Sequence, residues 1–130
     1  MPPAARANDP VVGIDLHIEL VPSPGGPVPT PTPSPFSGTI TSGTEASVTI
    51  DGQPAAVVGS AATNNPAHQF VAGPYQVPPL NRGTVAAGSA TVLIGGKPAA
   101  RVGDLVTTCT DLPWPSQPRI VSGSPTVMIA

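Results

Sequence analysis

Proline is the feature that most limits what this chain can become: 20 of its 130 residues are proline and 14 are glycine. Between Pro22 and Pro35 a proline stands at almost every second position. Proline lacks a backbone donor and clashes with the preceding helical turn. No window of about twelve residues combines helical apolar spacing with freedom from Pro, Gly and β-branched runs, so almost no α-helix is expected. Such a composition borders on that of disordered chains. Charged residues make up only 9%, however, and mean hydropathy is positive, which argues for a compact, turn-rich all-β domain.

A chain of this length is one small domain with a modest core. Its aromatics are Phe36, Phe70, Tyr75 and Trp114, so burial rests on Val, Ile, Leu and Ala, and something besides the core is expected to hold the fold. The single cysteine, Cys109, excludes an internal disulfide. The formal charge of −2, with Arg6, Arg82, Lys97, Arg101 and Arg119 scattered, leaves no footprint for nucleic acid or an anionic membrane. The first ten residues carry no apolar signal region, so the chain is expected to be made in the cytoplasm without a signal peptide. Residues 1–10 are expected to be a flexible lead-in.

Residues 11–20, VVGIDLHIEL, alternate as a strand does. The apolar set Val12, Ile14, Leu16, Ile18 and Leu20 is expected on the buried face, with Asp15, His17 and Glu19 facing outward. The proline-rich stretch 21–36 then reads as an extended loop over the surface.

A repeat begins at Gly38. Residues 38–60 align with 83–104, and 123–130 (GSPTVMIA) match 88–95 (GSATVLIG) as a partial third copy. Each copy holds a V-x-I pair: Val48/Ile50, Val92/Ile94 and Val127/Ile129. Asp51-Gly52 and Gly95-Gly96 then predict type I′ hairpins, whose two central residues need positive φ. Such units cannot bury their inner faces alone and must close on one another. Arg101 and Asp104 are placed to pair or to satisfy turn amides. Val57 and Ser60 stand at those positions in the first copy, so that role is expected not to recur there.

These phrases resemble the PAAR-repeat proteins, named for the tetrapeptide found here as Pro98-Ala99-Ala100-Arg101, with a degenerate copy at 54–57. Pro3-Ala4-Ala5-Arg6 is read as a chance occurrence. The resemblance implies a small conical PAAR fold of β-hairpins in pseudo-threefold arrangement. Its implied function is a structural tip, not an enzyme. It would cap a trimeric VgrG-like spike of a contractile injection machine, one copy per trimer and not as a homo-oligomer, and aid puncture of the target envelope. The chain would then travel on an injection particle and touch a membrane only during puncture. Effector attachment is the rival role, since family members often bear toxic extensions.

The N-terminal part, with G-x-D-x-H at 13–17 and PTPSPF at 31–36, is similar to a family subtype that binds one metal ion, zinc or iron, near the tip. Carried across, its ligands fall on His17, Ser34, His68 and Cys109. The subtype has His where Ser34 stands, and a serine hydroxyl is a poor zinc ligand. A water, Asp15 or Asp111 is left to complete the shell. The residues alone point the same way, since two His and one Cys make a workable tetrahedral set. An open fourth position would also suit a catalytic zinc, but no spare general base lies near the ligands in sequence.

Overall fold

The computed structural model describes residues 1–113 and 117–130, so Trp114 lies outside the described residues. Ten strands follow one another. β1 (Pro10–Val21) and β2 (Val28–Ser42) form a long hairpin, and β3 (Glu45–Ile50) and β4 (Gln53–Ala55) a short one. β5 (Ala61–Asn64) and β6 (Arg82–Val85) flank a long loop. β7 (Leu93–Ile94) and β8 (Lys97–Pro98) make the next short hairpin, before β9 (Val106–Thr108) and β10 (Arg119–Ile120). No helix is present among the described residues.

Six strands form one antiparallel sheet in the order β10-β1-β2-β5-β6-β9. Its two edges meet, since Val106 N–H donates to the Pro118 carbonyl at 2.9 Å and Leu105 bridges Arg119. The sheet is thus nearly a closed barrel, which leaves few edges to protect. Both predicted turns are found, with φ of 51° and 81° at Asp51-Gly52 and of 60° and 80° at Gly95-Gly96.

Pro3-Ala4-Ala5-Arg6 is no chance occurrence, and residues 3–9 are not a loose lead-in. Ala4 and Ala5 are fully buried. Ala5 N–H donates to Ala100, Ala100 to Ala56 and Ala56 back to Ala5, each at 3.0 Å, so three PAAR-like turns close a hydrogen-bonded ring. A second set of bonds, with donors two residues further on and acceptors two residues back, runs from Ala7 N–H to Pro54, Val58 N–H to Pro98 and Val102 N–H to Pro3, each at 2.9 Å. The missing half of the third copy is therefore segment 2–6. Pro3 bridges Met128, and Ile129 N–H reaches the Pro2 carbonyl at 2.9 Å, so segments 2–4 and 127–129 make a third hairpin-like pair.

The ring also explains the two alanines. Ala4, Ala55 and Ala99 pack with Ile50 and Ile129 on the hairpin side. Ala5, Ala56 and Ala100 pack with Val11, Phe36, Ile40, Val85, Val106 and Ile120 inside the barrel. Three chains converge at each layer, and only a small side chain fits where they meet. In each copy the amide that follows Ala-Ala donates to a side chain three residues on: Arg6 to Asp9 (2.7 Å), Arg101 to Asp104 (2.7 Å) and Val57 to Ser60 Oγ (3.0 Å). Ser60 thus does repeat the role, contrary to the sequence expectation. Both arginines additionally pair with their aspartates at 3.0 Å.

Two further expectations are corrected. The proline-rich stretch is a strand from Val28 onward, paired with β1 along its whole length. Pro29, Pro31, Pro33 and Pro35 are exposed and alternate with Thr30, Thr32, Ser34 and Phe36. Proline cannot donate, so the ladder to β1 uses the even-numbered residues. The outer edge from Val28 to Pro35, which pairs with no strand among the described residues, carries the prolines. On β1 the polar row is the more deeply buried: Asp15, His17 and Glu19 are 0%, 0% and 2% exposed, whereas in the apolar row Leu16 is buried, Ile14, Ile18 and Leu20 are half-buried and Val12 is 46% exposed. What draws that polar row inward is the site described next.

Candidate metal centre

Asp15 and His17 are two apart on β1 and therefore share its inner face. His68 comes from the loop after β5, and Cys109 directly follows β9. One donor atom from each of the four lies within 4.8 Å of every other. Cys109 Sγ is 3.5 Å from Asp15 Oδ2 and 3.7 Å from His17 Nε2. Asp15 Oδ2 is 3.9 Å from His17 Nε2 and 2.9 Å from His68 Nε2. The three predicted residues His17, His68 and Cys109 are thus brought together.

Ser34 is not among the converging donors. It faces Asp15 across the β1–β2 ladder, and its hydroxyl bonds His68 Nδ1 at 2.9 Å, on the back of that ring. It orients the imidazole so that Nε2 points inward, the arrangement by which outer partners fix a ligand's tautomer. Asp15 supplies the fourth converging donor. Its other oxygen accepts from Thr108 Oγ1. Behind His17, Asp111 Oδ2 lies 3.6 Å from Nδ1, an atom that is buried and lacks a hydrogen bond. The same Asp111 oxygen accepts from Ile18 N–H at 3.0 Å, which holds the carboxylate in place. Asp15 stands in the sequence as the first member of an Asp-x-His-x-Glu row and is one of three candidates, with a water and Asp111, for the fourth position; its burial beside the other donors is what separates it from them.

Burial governs the ionisation of the converging donors. Burial, and next the neighbouring His68, hold the His17 pKa below the ordinary imidazole range, against the pull of Asp111 and Asp15. Neutral imidazole, the form that ligates metals, is thereby favoured. Burial, and next Asp15, push the Cys109 thiol up. Without a cation the sulfur keeps its proton, and binding a metal would release it.

The donor set also fits by size and charge. Tetrahedral zinc with nitrogen and sulfur ligands spaces its donors at about 3.3–3.8 Å. The 3.5, 3.7 and 3.9 Å separations are close to this, whereas the hydrogen-bonded Asp15–His68 pair at 2.9 Å would have to lengthen. A thiolate and a carboxylate together balance a divalent ion, so the group would be buried without net charge. The four residues could therefore hold a divalent metal.

Fold and site together define a class: a small all-β scaffold built on a threefold ring, with a polar cluster suited to a metal cross-link. Residues 76–130, which include the second full copy and Cys109, match the family model described as PAAR motif, which supports the resemblance to PAAR-repeat proteins. Comparison with curated proteins gives no match. The motif indicates a spike-tip-type protein of contractile injection systems, a family of structural tips and not of enzymes.

Proposed function

We propose that this chain caps a trimeric VgrG-like spike, one copy per trimer, and aids puncture of a target envelope as part of an injection particle. The observation that carries the reading is the ring of three PAAR turns through Ala5, Ala56 and Ala100. On its hairpin side the ring displays three short two-stranded pairs, β3–β4, β7–β8 and the pair of segments 2–4 and 127–129. One chain thereby offers a threefold partner three similar strand ends, which supports docking of a monomer on a trimer.

At the other side of the barrel, Asp15, His17, His68 and Cys109 would hold one zinc or iron ion. The ion would supply a cross-link between β1, the loop after β5 and the segment after β9, segments far apart in sequence. Ser34 holds the His68 imidazole in register, and the Asp111 carboxylate stands 3.6 Å behind that of His17. A tip under load needs such stiffness, and the small core alone supplies little of it.

Co-purification tests the docking. Co-expressed with a trimeric spike protein from the same genome, the chain is expected to elute with it at one copy per trimer. Elution as a free monomer under all conditions would refute the cap.

A further inference from the structure

Among the described residues, His17 Nδ1 and the Tyr75 hydroxyl are buried without a hydrogen-bond partner. Buried polar atoms are rarely left so, and each one calls for a reason. His17 has the Asp111 carboxylate 3.6 Å behind it. Tyr75 packs edge-on against the His17 ring, with centroids 5.5 Å apart, so its hydroxyl also belongs to the surroundings of the metal centre.

Tyr75 is held there by the third member of the buried polar row. It bridges Glu19 on β1, and the Glu19 carboxylate accepts from three successive amides just ahead of it, Val71 at 3.3 Å, Ala72 at 2.8 Å and Gly73 at 3.1 Å. Leu20 N–H donates to the Pro74 carbonyl at 2.7 Å, and Gln76 N–H to the Ile18 carbonyl at 2.8 Å, which ties the backbone on both sides of Tyr75 to β1. Burial pushes the phenol pKa up, and the neighbouring Ser34 hydroxyl acts against that. Tyr75 and His68 are thus both neighbours of one hydroxyl.

Which way the Ser34 hydroxyl points depends on His68. Asp15 accepts from Thr108 Oγ1 and Cys109 Sγ, and an ionised carboxylate has no hydrogen to give. The 2.9 Å bond between Asp15 and His68 therefore places a proton on Nε2, leaves Nδ1 as acceptor and makes Ser34 its donor at 2.9 Å. With Nε2 coordinating a metal, the ring proton belongs on Nδ1, so Ser34 accepts and its own hydrogen is freed. We infer that Tyr75 is a positioning residue of the centre: with Nε2 on a metal, His68 Nδ1–H donates to Ser34, and Ser34 donates to the Tyr75 oxygen. One proton leaves Nε2 and one arrives at Nδ1, so the ring stays neutral in both arrangements. The inference rests on the metal reading above and adds to it the role of Tyr75 and the reversal at Ser34.

Zinc added to the purified chain tests it, with the imidazole nitrogens read by proton–nitrogen correlation spectroscopy. The His68 proton is expected on Nε2 before zinc and on Nδ1 after. Tyr75→Phe keeps the ring and removes only the oxygen, and it is expected to weaken zinc binding about tenfold. Ser34→Ala is expected to weaken it at least as much, and the double variant no more than Ser34→Ala alone, because Tyr75 acts through Ser34. Should Tyr75→Phe fold poorly, the wild-type nitrogen signals still decide the reversal. Failure of the wild-type chain to take up zinc would overturn the metal reading and this inference together. Uptake with the His68 proton on the same nitrogen throughout, equal zinc affinity of Tyr75→Phe, or additive losses in the double variant would each overturn this inference and leave the metal reading standing.

Discussion

At the PAAR ring three segments perform one task in parallel, whereas at the metal centre four residues each perform a different one. Ala5, Ala56 and Ala100 are interchangeable in geometry, and so are the acceptors Asp9, Ser60 and Asp104. Asp15, His17, His68 and Cys109 have no counterparts elsewhere in the chain, and Ser34 and Asp111 each serve a single imidazole. The ring is stabilised by repetition of small contacts, and the centre by convergence of distant segments. Damage should therefore be graded and similar among copies at the ring, but concentrated at the centre.

Metal removal is the largest expected break in that comparison. With the ion at about a thousandfold over its Kd, binding adds about 4 kcal/mol to stability, so a chelator should lower the melting temperature by roughly 10 °C or more. His17→Ala and Cys109→Ser should melt near the chelated wild type and ignore the chelator. Calorimetry with and without chelator, beside elemental analysis, decides this; a melting temperature indifferent to chelation would remove the cross-link.

Next in size is crowding of the ring. Ala100→Leu forces a large side chain where three segments meet, at a cost of about 3 kcal/mol. Ala56→Leu and Ala5→Leu should cost about the same, as read by chemical denaturation. Widely different costs would show the ring to be threefold in hydrogen bonding only.

The acceptors sharpen the same point at smaller scale. Asp9→Ala, Asp104→Ala and Ser60→Ala each strand a turn amide, at about 1–3 kcal/mol. Because Ser60 also donates to the Gly43 carbonyl at 3.0 Å, its loss should fall in the same range despite its lack of charge. A neutral Ser60→Ala would separate the first copy from the other two.

The smallest expected effect depends on pH. Hydroxyls of Ser124 and Thr126, and then Arg6, hold the Asp51 carboxyl below the usual carboxylate range. Such a group adds stability above its unfolded pKa and loses it as pH falls through its folded pKa. Melting temperatures of wild type and Asp51→Asn should therefore differ at neutral pH and converge as pH falls below the ordinary carboxylate range. Asp51 links the first hairpin turn to Arg6 and to the 124–126 segment, so a pH-independent difference would mean that it acts only through its turn geometry.

Much of the ring was legible because hairpin chemistry is local: Asp51-Gly52 and Gly95-Gly96 announce their turns without help from the rest of the chain. The third copy was not, since GSPTVMI at 123–129 is completed by residues 2–6, and a scan along the chain does not join its two ends. The candidate ligands His17, His68 and Cys109 came through the family resemblance, whereas composition alone offered only a workable donor set. Burial of Asp15 and Glu19 was hidden for a simple reason. Alternation tells which residues share a face, but not which face points inward, and here the polar row has partners inside. Strand β2 was read as a loop because proline was weighed only as a breaker. On alternate positions along an unpaired edge, its missing donor costs the sheet nothing.

That edge bears on how the chain meets other polypeptides. From Pro29 to Pro35 its outward positions offer carbonyl acceptors without a single partnering N–H. A stray unfolded segment drawn alongside can donate but receives nothing in return, so it cannot add itself as a further strand. The longest hairpin of the molecule is in this sense chemically one-sided, a flank on which foreign chains find no template.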